Sequence, residues 1–561
     1  MAALLDCRVA LAMTEFRLLK LFLPAALALA ASAAAATPPL MPPTPMAPPR
    51  LLIVISVDQF SADLFDEYRP QFTGGLARLA SGTVFRNGYQ SHAATETCPG
   101  HSTILTGRRP SATGIVGNLW IDQSANRSDK TIYCAEDERA PGTSAADYKV
   151  SPVHLLVPTL GQLLKQPSPA SLNVAVAGKD RSAVMMGGHA PDQRWYWDGK
   201  RFATDLSKPA PASVVAINAA AATMLAVPRP PLVPPPVCAA KAQPVRLEGS
   251  GRVIGAGALA RAAGDAAHFR AGPEADGTVL ALSAALIREI GLGQDNAPDV
   301  LSIGLSATDY VGHFFGTGGQ EMCLQLLALD RELGDFLARL DQWNLDYAVA
   351  LTADHGGDDA PERLRLRGIA SATRVDPALE TARVAKTIGH PGALLGPQSQ
   401  GNFIGDVYVD AGLASDERAR VLAKALDFYR RHPQVAAAYS RAELSGAPAP
   451  TTTADKWSLM DMARASFDPR RSGDIFVMLK PHVNPIVDTS IYASTHGSPW
   501  PYDRRVPIIF WRPEMDAATR EEPVETVDIM PTLAAMLRLP NAASGIDGKC
   551  LHGIQGIVCD R

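Results

Sequence analysis

The chain has 561 residues, 47% of them hydrophobic and 20% charged, which describes a large globular protein: one big domain with insertions, or two to four smaller ones. Its 53 basic and 57 acidic residues leave a net charge of −4 with no basic run. That balance excludes a nucleic-acid footprint and a basic membrane-surface helix.

From Met13, "MTEFRLLKLFLPAALALAASAAAATPP" sets Arg17 and Lys20 ahead of an apolar run and small residues around Ala34 to Ala36. This is the layout of a secretory signal peptide over residues 1–36, with Met13 as an alternative start. The competing reading, a membrane anchor, is weakened by the short, Ala-rich core and by the Pro-rich linker that follows over 37–49. No later stretch reaches the roughly 20 apolar residues that a span requires. Export implies an oxidising compartment. Of seven cysteines, Cys7 precedes the cleavage site, leaving Cys98, Cys134, Cys238, Cys323, Cys550 and Cys559. Six allow up to three disulfides; Cys550 and Cys559 are close enough to staple the tail, and Cys98 is either a bridge partner or a free thiol.

Downstream, "LLIVISVDQF" (51–60) is a strand that ends in Asp58. It leads to "HAATETCPGHSTILTG" (92–107), which places Thr97 before Cys98, Pro99 and Gly100. Three readings compete there: an ordinary turn with a capping threonine, a cysteine-based site, or a hydroxyl nucleophile at a metal, with a helix starting after Pro99. "LNVAVAGKDRSAV" (172–184) is a second strand, and Lys179 and Arg181, two apart at its end, point to one side or are simply solvated charge. Residues 203–275, rich in Ala and Pro, read as an irregular insertion. "DVLSIGLSATDYVGH" (299–313) and "YAVALTADHGG" (347–357) are further strands, separated by a helical pattern over 323–343. Residues 360–485 mix a helix with short strands, which predicts a small inserted subdomain. A loop "STHGSPW", a strand over 504–511 and a helix over 526–539 follow. Near-continuous apolar strands alternating with helices predict an α/β fold: a doubly wound, mostly parallel central sheet with helices on both faces, plus inserted subdomains.

In such sheets ligands bind beyond the carboxyl ends of the strands. Those ends carry Asp58, Asp309 with His313, and Asp354 with His355, and the late loop adds His496. Singly, each aspartate has a bland reading as a cap and each histidine as a satisfied polar group. Asp309 and His313, however, are four apart, so one helical turn aims both at one point. Gly356 and Gly357 let the backbone turn at Asp354 and His355. Three carboxylates and three imidazoles divide into two three-donor sites, and mixed O/N ligation without thiolate suits catalytic Zn²⁺. Two metals about 3.5–4 Å apart clamp the attacking and leaving oxygens of a phosphoryl displacement.

The stretches "VDQF", "TETCPGHSTILTG", "GNLW", "GKDRSA", "SATDYVGH", "TADHGG" and "STHG" together resemble the threonine-nucleophile, two-zinc branch of the alkaline phosphatase superfamily. The chain is similar to phosphate-irrepressible bacterial and secreted Sphingomonas-type alkaline phosphatases, and more distantly to nucleotide pyrophosphatase/phosphodiesterases. The match runs in order from about residue 50 to the C-terminal helix, which implies one catalytic domain over 50–561 with insertions at about 203–275 and 360–485. The resemblance implies two Zn²⁺ per chain: one held by Asp309, His313 and His496, the other by Asp58, Asp354 and His355, with Thr97 as the nucleophile touching it. It implies phosphate binding by Asn118, Lys179 and Arg181. Sulfatases of the superfamily use a C-x-P-x-R motif, but Cys98 is followed by Gly100 where Pro is needed and Ser102 where Arg is needed. The cysteine reading therefore fails.

Lys179 and Arg181 bear on the substrate. A monoester carries roughly two negative charges on its phosphoryl group and a diester one, so two cations favour the monoester; the diesterase branch lacks this pair. The expected protein is a periplasmic or secreted, monomeric enzyme acting on small phosphate monoesters through a phosphothreonine. It binds no nucleic acid and has no membrane span after signal cleavage; an additional Ca²⁺ is compatible with the insertions but not specified by them. Two rival readings are a phosphodiesterase or nucleotide pyrophosphatase, and an exported phosphate- or metal-binding protein without turnover.

Overall fold

The computed structural model describes residues 46–397, 405–540, 542 and 545–559. The expected signal peptide and residues 37–45 of the linker lie outside the described residues.

Strand Leu51–Val57 is buried along its whole length, and its odd and even residues feed different cores. Leu51, Ile53, Ile55 and Val57 face one cluster, while Leu52 and Val54 face another on the opposite side of the sheet. Burial on both faces is what a run without polar alternation requires, and each such side chain contributes about 1.5–3 kcal/mol of transfer free energy. Leu51–Val57 pairs in parallel with Asp299–Leu305 on one side and Tyr347–Thr352 on the other. Asp299–Leu305 pairs in parallel with Asn173–Ala177, which pairs in parallel with Gln193–Trp197. Beyond Tyr347–Thr352 the sheet turns antiparallel through Arg505–Trp511 and Thr83–Tyr89. This is a ten-stranded, mostly parallel sheet.

Helix Gln320–Gln342 lies on one face and buries Leu326, Leu329, Leu333, Leu337 and Leu340, the 3–4 spacing of an amphipathic helix. The predicted helix over 526–539 forms as Ile529–Met536 and covers the other face. A separate four-stranded sheet (Leu394–Leu395, Asp406–Val409, Ile475–Leu479 and Val435–Ser440) packs with helix Ser415–Arg431, through Val421, Ala425 and Tyr429, around its own core.

Two local expectations are corrected. Residues 203–275 are not irregular throughout, because Ala212–Ala226 forms a four-turn helix. Its alanines, the best helix formers, outweigh the prolines that flank it. Cys98 is not free: the bridges are Cys98–Cys134, Cys238–Cys323 and Cys550–Cys559. No helix of the described residues is long and apolar enough to cross a membrane.

Candidate active site

Four neighbouring parallel strands deliver the site at their carboxyl ends. Asp58 follows Leu51–Val57, Lys179 follows Asn173–Ala177, Asp309 and His313 follow Asp299–Leu305, and Asp354 and His355 follow Tyr347–Thr352. His496 enters from the loop ahead of Arg505–Trp511, and Thr97 from helix Thr97–Ile104.

That helix begins at Thr97 itself, with Glu96 as its N-cap, not after Pro99. Its first free N–H groups are consequently few: Pro99 has none, and the Cys98 N–H donates to Asn118 Oδ1 at 2.8 Å. Gly100 lets the helix approach the strand end, since a Cβ there would collide with the Asp354 carbonyl. Gly356 serves in the same way and not as a flexible hinge: its Cβ would strike the Tyr502 carbonyl, and its φ is not in the left-handed region. Asp309 and His313 share one turn of helix Ala307–Phe315. The start of that helix is fixed from outside, because buried Asp276 accepts the Ser306 and Ala307 N–H groups at 2.8 and 3.0 Å.

Donor atoms of Asp58, Asp354 and His355 lie within 4.8 Å of one another, as do those of Asp309, His355 and His496. His313 joins the second set through Asp309, its Nε2 standing 3.2 Å from Oδ1. The His355 and His496 rings stack, with centroids 3.6 Å apart. All three imidazoles are oriented alike. Nδ1 of His313, His355 and His496 meets the backbone carbonyls of Ser494, Gly356 and Thr95 at 3.0, 2.8 and 2.8 Å. A carbonyl at Nδ1 fixes the tautomer and leaves Nε2 with its lone pair towards the carboxylates. Burial lowers the pKa of His355 and His496.

Asp58 Oδ1, His355 Nε2 and Thr97 Oγ1 are buried without a hydrogen-bond partner among the described residues. Acceptors withheld from every donor in a buried space are costly unless a cation meets them. The donor set fits divalent metal.

Lys179 is the one protein cation among them. Its ammonium lies 2.6 Å from Asp58 and 2.5 Å from Asp309, one carboxylate from each set. Burial opposes its charge, but Asp309 and Asp58 outweigh that and raise its pKa. Burial also pushes Asp58 well above the usual carboxylate range, with Asp309 and Asp354 adding to it. On Asp309 burial is overcome by His313, Lys179 and His496, which hold the carboxyl well below its ordinary value. Asp354 is held down against burial by His355 and His101.

Period-two geometry does not place the Lys179 and Arg181 pair, since the strand ends at Ala177 and Lys179 caps helix Asp180–Gly187. Arg181 instead reaches the Tyr133 hydroxyl at 3.4 Å. Asn118 is fixed at both ends, its N–H donating to Glu96 Oε2 at 2.7 Å and its side-chain oxygen held by Cys98.

Three contributors escaped the sequence reading. His101 Nδ1 lies 2.9 Å from the Thr97 carbonyl and 3.0 Å from Asp354 Oδ2, and its i+4 spacing from Thr97 was a usable signal. Gln59 donates its backbone N–H to Asp354 and its side-chain amide to Asp309, both at 3.2 Å. Its left-handed φ of 64° has no counterpart in the sequence. Glu96, half-buried next to Thr97, accepts the Asn118 N–H, a role with no local signal in the sequence.

An open α/β sheet with two overlapping carboxylate–imidazole sets at its strand ends is the framework of a metal-centred site. The chain belongs to the type I phosphodiesterase / nucleotide pyrophosphatase family of the alkaline phosphatase superfamily, whose profile matches residues 52–498. It is 51% identical over 516 residues to the alkaline phosphatase PhoK of a Sphingomonas species, covering 91% of this chain and 92% of that protein. It is 45% identical over 516 residues to the alkaline phosphatase PhoD of Zymomonas mobilis, covering 90% and 88%. The crystal structure of the alkaline phosphatase PafA superposes with a TM-score of 0.75 at 24% identity, over 88% of this chain and 96% of that one, which is a likeness of fold.

Proposed function

We propose that this protein hydrolyses phosphate monoesters to inorganic phosphate and an alcohol, with Thr97 as nucleophile and a phosphothreonine intermediate. It is an enzyme of the alkaline phosphatase type, the activity named for relatives at 51% and 45% identity along nearly its whole length. The observation that carries the residue-level reading is Thr97 Oγ1, a buried hydroxyl with no hydrogen-bond partner among the described residues, on a helix that His101 links to Asp354.

Asp58, Asp354 and His355 would hold one zinc, near Thr97, and Asp309, His313 and His496 the other. When bound, the two ions supply Lewis-acid charge that lowers the pKa of a coordinated oxygen and offsets charge on the phosphoryl group. The chain's own residues do the rest. Thr97 Oγ1 forms the new bond to phosphorus as the bond to the alcohol oxygen breaks, and water then cleaves the phosphothreonine and frees Thr97. Asn118, pinned through Glu96 and Cys98, has its side-chain N–H₂ left to donate to a phosphoryl oxygen. Lys179 already reaches the space between the two donor sets, and Arg181 brings a second cation, so a dianionic phosphoryl group is met by complementary charge.

We further propose that the chain is exported behind a signal peptide over 1–36 and a linker over 37–49, and works as one catalytic domain over 50–561 carrying insertions at about 203–275 and 360–485. Three disulfides, expected of an oxidising compartment, support export. The test is hydrolysis of p-nitrophenyl phosphate against bis-p-nitrophenyl phosphate, with and without chelator. The expected outcome is a preference for the monoester, loss of activity on chelation, recovery with Zn²⁺, and about two metals per chain by elemental analysis. Faster diester cleavage would restore the phosphodiesterase reading; full activity in metal-free protein would overturn the zinc assignment.

A further inference from the structure

Tyr310, next to Asp309, packs against two cations. The Lys179 ammonium lies 5.0 Å from its ring centroid and the Arg270 guanidinium carbon 4.8 Å. Arg270 Nη1 also donates to the Tyr310 hydroxyl at 3.4 Å. Lys179 and Arg181 have tasks in the proposed reaction, and Arg270 has none.

Its surroundings are nevertheless those of a receptor. Arg270 is half-buried at the end of helix Ala266–Arg270 and makes no ion pair among the described residues. Its Nε is a buried donor without an acceptor. The crevice beside it is lined by Trp197, Phe269 and Tyr310, which offer no carboxylate. Arg181 shows the same signature, a buried Nε with no partner. Partly buried charges are normally paired, and a guanidinium with free donors presents a planar fork that matches carboxylate and phosphate oxygens.

The position fixes what would arrive there. Tyr492 packs on His313 with ring centroids 5.0 Å apart. Tyr310 adjoins Asp309 in the chain, and its ring lies against both Arg270 and Lys179, the latter 2.5 Å from Asp309. Arg270, Tyr310 and Tyr492 therefore form a rim on the Asp309–His313–His496 side of the centre. In an in-line displacement the leaving alcohol departs opposite the nucleophile, towards that rim.

We propose that Arg270 is a second anion subsite, which receives a carboxylate or phosphate carried by the leaving alcohol and so favours monoesters of alcohols that are themselves anionic. The inference rests on the monoesterase reading and adds a substrate class to it. Steady-state kinetics on phenyl phosphate, 4-carboxyphenyl phosphate and a phenylene bisphosphate would test it, with the zinc-loaded wild type, Arg270→Ala and Arg270→Lys. A charge-assisted contact predicts that Arg270→Ala lowers kcat/KM about tenfold or more on an anionic ester and leaves phenyl phosphate within about twofold, with Arg270→Lys between. A loss on the carboxylate ester alone, or on the bisphosphate alone, identifies which anion the fork takes. Titration calorimetry of phenylphosphonate and 4-carboxyphenylphosphonate reads the same contrast without turnover. If neither ester is hydrolysed but the binding contrast and its loss in Arg270→Ala persist, the monoesterase reading falls and the subsite stands. Equal losses on neutral and anionic compounds, or no change on any, would overturn the subsite.

Discussion

Thr97 Oγ1 is buried with no hydrogen-bond partner among the described residues, which suits the role proposed for it. Thr97→Ala should abolish monoester turnover while metal content and folding stay close to wild type, because it removes a hydroxyl and no carboxylate or imidazole; Thr97→Ser should keep some activity. Wild-type rates in the alanine variant, with metal verified by elemental analysis, would sink the nucleophile assignment. Lys179 and Arg181 make a complementary test. Replacing both with Ala should lower monoester kcat/KM by about tenfold to a hundredfold for each charge-assisted bond lost, and diester kcat/KM by less. Equal losses on the two substrates would mean that the pair serves packing or general positioning. Asp309 and His313 were legible because helical periodicity relates residues four apart, whereas His355 and His496 are related only by the fold. Their stacking, and Lys179 bridging Asp58 to Asp309, join residues more than a hundred positions apart, and no local pattern encodes that.

Helix Ala307–Phe315 shows how an element is aimed from outside itself. Asp276, on the neighbouring helix Pro273–Ile290, receives its first N–H groups, and burial pushes that carboxyl up to about 7. A carboxyl raised in the folded state binds its proton more tightly there than in the unfolded chain, whose value is 3.8. Its contribution to stability is thus fully present below 3.8, declines as pH rises to about 7, and is level beyond. Asp276→Asn cannot titrate. The stability of wild type relative to this variant should therefore fall by roughly 1–4 kcal/mol between about pH 4 and about pH 7.5 in denaturant melts. A flat difference would remove Asp276 as a titrating anchor. Gly100→Ala tests a different element: the added methyl pushes helix Thr97–Ile104 off the Asp354 carbonyl, and overpacking of this kind costs about 1–3 kcal/mol. Its melting temperature and kcat should fall together, and an unchanged kcat would separate the helix position from catalysis. Helix Ala212–Ala226 was hidden from the sequence reading because prolines on both sides drew attention from the alanine run between them. The strands were plain because burial on both faces leaves no room for polar residues.

Across the whole molecule, the sheet and the bridges divide the labour. The four parallel strands carry every donor but His496 at their ends, and Cys98–Cys134 ties the residue after Thr97 to the strand Thr131–Tyr133, beside the Asn118 loop. Replacing both cysteines with serine should cost roughly 2–4 kcal/mol, read as a lower melting temperature, with activity falling through a less ordered Thr97. An unchanged melting temperature and rate would make that bridge incidental. One consequence follows from the spread of the donors along the chain. Asp58 is made early in synthesis and His496 late, and the residues between them supply the remaining groups in turn. On the roles proposed here, a ribosome-bound chain holds carboxylates without the imidazole that completes their set. The catalyst thus cannot switch on piecemeal: no phosphate ester is at risk until nearly all of the chain has emerged and closed around its own beginning.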